Sequence, residues 1–72
     1  MTKYYYETDY IYNVFGADEH LVVSLWKETK NGKKVKWVAE WKWSTFLSDS
    51  WAWSRAEKRI RKLRATYDAE PM

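Results

Sequence analysis

Six cations crowd into residues 54–67 of this 72-residue chain, SRAEKRIRKLRATY. Arg55, Lys58, Arg59, Arg61, Lys62 and Arg64 stand there against Glu57 alone, a net of +5, although the whole chain carries only +3. Residues 1–53 are balanced, with seven Lys against seven acids, and Asp68 and Glu70 make the tail acidic. Like charges three or four apart on a helix cost about a few tenths of a kcal/mol per pair, and Arg55–Arg59 and Lys58–Lys62 are such pairs. A segment that carries this repulsion is suited to an anionic ligand, either phosphates or an acidic protein surface. An ordinary solvated helix face is the plainer alternative.

The remaining candidates for chemistry are weaker. His20 is the only histidine. Ser24 shares its strand face, but no acid orients the pair and no oxyanion donors accompany it. Glu7 and Asp9 lie two apart, a spacing that on a strand marks a solvated edge more often than a metal site. Cysteine is absent, which excludes disulfides, thiolate metal sites and cysteine nucleophiles. Both glycines sit in turn signals, so no phosphate-cradling loop is present. The sequence therefore predicts no catalytic residue, no metal and no cofactor. It reads as a non-enzymatic binding module.

The elements that position these residues follow from pattern. The length allows one domain, residues 1–72. A chain this small is near the limit for a self-sufficient core. Six Trp, six Tyr and two Phe offer a compensation, since each aromatic can bury about 150–250 Å². No apolar run approaches the roughly 18 residues of a membrane span. The N-terminus lacks the apolar stretch of a signal peptide. The expected location is the cytoplasm, a host's cytoplasm if the chain is viral.

Residues 3–15, 20–29 and 33–43 read as strands, rich in aromatic and β-branched residues and separated by turn signals at 16–19 and Asn31-Gly32. Their faces set the expected register. A loop of Lys30-Asn31-Gly32, with Gly32 at positive φ, pairs 29 with 33 and places Leu21, Val23 and Leu25 across from Trp41, Ala39 and Trp37. Pairing 15 with 20 sets Val14, Tyr12 and Tyr10 across from the same three residues. Trp53, Ala56, Ile60, Leu63 and Tyr67 then form an amphipathic helix stripe over about 50–67. Ser54 to Glu57 is a capping box, and Asp49 or Ser50 could cap an earlier start. The expected fold is α+β: a three-stranded antiparallel sheet in order 1-2-3, one C-terminal helix on one face, and a tail at 68–72. Its expected core is Tyr10, Tyr12, Val23, Leu25, Trp37, Trp41, Ala56, Ile60 and Leu63.

This register turns Trp26 to the uncovered sheet face, across from Lys36 and near Lys34, with Lys42 on the same side. Tyr5, Ile11 and Phe15 share that face. Aromatics among lysines can stack unpaired bases or grip a backbone. They can equally dock on another protein. The candidate binding residues are therefore Trp26, Lys34, Lys36 and Lys42 on the sheet, and Arg55, Lys58, Arg59 and Lys62 on the helix.

In outline, KETKNGKKVKW and the capped SRAEKRIRKL resemble the βββα arm-site-binding domains of lambda-type integrases. That resemblance implies DNA binding with the sheet in the major groove, and with Trp26, Lys34, Lys36 and Lys42 facing the bases. The link at 44–53 is longer than that family's, and the Arg-rich helix lies on the other side of the sheet. The chain also looks like small orphan proteins of bacteriophages, short, cysteine-free and rich in Trp and Arg. That likeness implies an inhibitor or adaptor of a host protein, as a monomer or a homodimer. Nucleic acid and an acidic host protein both stand as expected partners, with no membrane.

Overall fold

The computed structural model describes residues 2–12, 19–29, 34–45 and 48–72. Strands β1 (Tyr4–Tyr12), β2 (Glu19–Glu28) and β3 (Val35–Ser44) precede a helix, α1 (Asp49–Tyr67), and a short strand, β4 (Glu70–Pro71). The fold is α+β with one C-terminal helix on one sheet face, as the pattern predicts. The sheet differs: it has four strands in the order β3-β2-β1-β4 and is mixed. β4 runs parallel to β1, pairing Glu70 with Tyr5 and Pro71 with Tyr6. The expected free tail is thus part of the sheet, held by the Met72 N–H donating to the Tyr6 carbonyl (2.9 Å).

The helix end makes this possible. Asp68 adopts φ 54° and ψ 37°, in the left-handed region. Its N–H donates to the Arg64 carbonyl (3.1 Å), and the Ala69 N–H donates to the Leu63 carbonyl (3.5 Å). The first is the single bond of an αL closure, and the second ties the reversing chain back to the last turn. The chain reverses there, and Ala69 joins Leu63 in the core. At the other end Ser48 caps the helix, its side-chain oxygen accepting from the Trp51 N–H (3.3 Å). The helix therefore begins earlier than Ser54, the residue that opens the capping-box pattern, and Ser54 lies inside it.

The registers depart from expectation by even steps. Tyr10 pairs with Leu21, Thr8 with Val23 and Tyr6 with Leu25, a shift of four residues from the expected partners. Leu25 pairs with Ala39, Val23 with Trp41 and Leu21 with Trp43, a shift of two. Even shifts leave each side chain on its expected face. The exception is a bulge. Leu25 faces Ala39 but Trp26 faces Trp37, so Val38 has no partner. An extra residue in one strand turns the following side chain over. Trp37 consequently lies on the open face beside Trp26, 50% exposed, rather than in the core. Trp26 does not face Lys36, which pairs with Lys27 instead. The Lys30–Gly32 loop, the conformation of Gly32, the first turn apart from Glu19, Val14 and Phe15 lie outside the described residues, as does the side chain of Tyr12.

The buried core is Leu21, Val23, Leu25, Ala52, Ala56, Leu63 and Ala69. None of the six tryptophans is fully buried. Ala52 and Ala56 form the helix surface that meets the sheet centre, and such small side chains let the helix seat directly on β2 with no room for an indole between. Tyr4, Tyr6, Trp41, Trp43 and Ile60 pack partly buried around this centre. Tyr10, expected inside, is exposed and meets Trp53 at the margin. Leu25→Ala is expected to cost about 2–5 kcal/mol in urea unfolding, and Trp37→Ala about 1 kcal/mol or less. Asp68→Val should lose about 1–2 kcal/mol through its left-handed backbone, whereas Asp68→Gly should lose none.

Candidate anion-binding groove

The helix is flanked differently on its two sides. Successive helical residues are rotated by about 100°, so residues just after and just before the Ala52/Ala56/Leu63 line face opposite neighbours. Toward β1 the flank is aromatic. Trp53 Nε1 donates to the Tyr10 hydroxyl (2.7 Å), with ring centroids 6.2 Å apart and edge-on at 70°. Tyr67 lies on Tyr4 at 4.8 Å between centroids. Toward β3 the flank is cationic. The Arg59 guanidinium sits 4.6 Å from the centre of the Trp41 ring. Arg55 sits 5.7 Å from that of Trp51, which is 48% exposed.

Between this cationic flank and β3 lies a pocket of about 210 Å³ lined by Trp43, Arg55, Lys58, Arg59 and Lys62. All four expected helix cations therefore converge on one groove. Alternation along β3 explains the indoles: Trp41 and Trp43, two apart, point to the helix side. Spacing along α1 explains the cations, since Arg55, Lys58, Arg59 and Lys62 recur three and four apart. Among the described residues the ion pairs are Lys3–Glu70 (3.8 Å) and Lys42–Glu40 (3.5 Å), and neither touches the groove. The four cations thus face one another and the indoles without a carboxylate to neutralise them.

The expected sheet site is not assembled. Trp26 lies on the open face in a row with Tyr5 and Trp37. Its Nε1 is buried without an acceptor. Lys36 pairs with Lys27 on the helix side, and the Lys34 carbonyl accepts from the Thr29 N–H (2.9 Å) just before β3. Lys42 is on the open face but is paired with Glu40 and lies across from Val22. The next rows on that face bring Glu7, Ser24 and Glu40 into line, then Asp9, Val22 and Lys42. On this side carboxylates border the aromatic row, and on its other side Lys3 and Glu28 lie across from each other. Trp43, which lines the groove, and Trp51, which meets the groove's Arg55, are residues that the sequence pattern does not nominate. A signal for Trp51 does exist, because 51, 55, 58 and 62 share one side of a helix.

Elsewhere, a pocket of about 440 Å³ near the helix C-terminus has Glu28, Asp68 and Glu70 in its lining against the one ammonium of Lys3, and it would repel anions. Among the described residues no group of three His, Asp or Glu side chains could hold a metal ion, and no helix is long and apolar enough to cross a membrane.

Unneutralised cations at close quarters make the fold salt-sensitive, because mobile ions screen their repulsion. The urea midpoint should rise with added NaCl, and Lys58→Glu together with Lys62→Glu should flatten that rise. Arg59→Ala should cost about 0.5–2 kcal/mol by removing the cation from Trp41. No protein-family model matches the chain, and no characterised protein or solved structure is significantly similar to it.

Proposed function

We propose that this chain is a small non-enzymatic module that binds nucleic acid in the groove between α1 and β3. The observation that carries this reading is the convergence of Arg55, Lys58, Arg59 and Lys62 on one pocket with no carboxylate partner among the described residues. Folded chains usually balance surface cations with acids. Four left unbalanced beside indoles suit a phosphate backbone, whose binding releases condensed counterions. The sheet residues Trp26, Lys34, Lys36 and Lys42 add nothing to this reading, because they do not share a patch.

A second reading has its own observation. The row of Tyr5, Trp26 and Trp37, bordered on one side by Glu7 and Glu40, is an aromatic surface with carboxylates along that side. Such a surface suits a protein partner whose contact residues are Lys and Arg, with the indoles as anchors. A host-protein inhibitor or adaptor would use this face.

Titrating labelled nucleic acid with the protein over a salt series tests the first reading. Affinity should fall linearly in log–log form with salt. Arg55→Glu with Lys62→Glu should weaken binding to all sequences alike and lower the salt slope by about one for each phosphate no longer neutralised. Trp37→Ala should leave binding unchanged. The opposite pattern, with Trp37→Ala abolishing association and the groove variant neutral, would favour the protein-docking reading.

A further inference from the structure

We propose that the ligand of the groove is a single strand, with unpaired bases stacking on Trp43 and Trp51 while the phosphates lie along Arg55, Lys58 and Lys62. This rests on the reading of the groove as a nucleic-acid site and narrows it to one class of ligand.

The geometry separates single strands from duplexes. A helix that enters a duplex groove presents its outermost ridge. The ridge of α1 farthest from the sheet carries Ser54, Lys58, Arg61 and Ala65, with Glu57 beside it, all exposed. Arg55, Arg59 and Lys62 lie instead on the flank where the helix meets β3, and Lys58 reaches the groove from its outer rim. Bases within a duplex remain stacked on one another and cannot reach an indole in the wall of such a groove. An unpaired base can, and aromatic platforms beside a cationic track are how proteins hold single strands.

The indoles are placed for this. Trp43 lines the groove itself. Trp51 precedes it on the same helix flank as Arg55 and is half exposed. The Arg55 guanidinium lies 5.7 Å from the centre of that ring, too far to stack on it. A phosphate would draw the guanidinium away and leave the ring to a base. Arg59 is closer to its own ring, 4.6 Å from the Trp41 centroid, and acts as the groove floor.

The test uses the whole chain at low salt with short oligo(dT), oligo(U), a duplex of the same length and poly-glutamate. Binding is read by anisotropy, and the six indole N–H resonances are followed by NMR. Either single strand should bind at least about fivefold more tightly than the duplex or poly-glutamate, as one stacked base supplies. The Trp43 and Trp51 resonances should move, and those of Trp26 and Trp37 should not. Trp51→Ala, at an exposed position, should weaken single-strand binding about fivefold or more and leave duplex binding unchanged. Trp43→Phe, which keeps a ring, should retain most affinity and assigns that resonance. Equal or tighter duplex or poly-glutamate binding, abolished by Arg55→Glu with Lys62→Glu, would overturn the single-strand inference and leave an anion groove. No binding to any nucleic acid, or shifts confined to Trp26 and Trp37, would overturn the groove reading as well.

Discussion

The structure depends on one contact, in which Leu21, Val23 and Leu25 of the central strand meet Ala52, Ala56 and Leu63 of the helix. Alanine buries little area, so this contact alone holds the helix weakly. The flanks must add to it, and they do so in two ways. On the β1 side aromatic rings meet aromatic rings, with one hydroxyl satisfying an indole donor. On the β3 side a guanidinium lies over an indole. The second solution brings positive charge into the seam between helix and sheet, and the candidate groove is that seam.

An anion bound there would couple stability to binding. Arg59 helps seat the helix through Trp41 and also adds to a field that its neighbours Arg55 and Lys62 must endure. The repulsion is tolerable because most of each side chain can reach water, where charges are screened. Any anion that settles in the groove relieves it, so ligand binding and helix docking favour each other.

Much of this is legible in the sequence, for definable reasons. Alternation in residues 20–25 and 39–43 identifies the buried face, because side chains on a strand repeat every two residues. The same periodicity explains the misplaced registers: shifts of two or four residues preserve every facing, so hydrophobic pattern cannot separate them. Trp37 illustrates the limit. It alternates with Ala39 and Trp41 and looks like a core residue, and only the unpaired Val38 turns it outward. β4 has two residues and a proline and carries no periodic signal. It follows from the backbone of Asp68, a type of residue that tolerates the left-handed region without announcing it. The cationic helix flank is legible because charge and spacing are both read directly. Trp43 is not, because its place depends on which strand borders the helix.

Val38 has one more effect. β3 is an edge strand of ten residues, and among the described residues no strand lies along its outer side. Regular edges of that length recruit strands from other molecules and seed aggregates. An unpaired residue in mid-strand breaks the straight row of hydrogen-bonding groups, and Lys36 adds a charge that repels an identical edge. The irregularity that displaces an indole from the core thus also makes this edge a poorer template for a strand from another molecule.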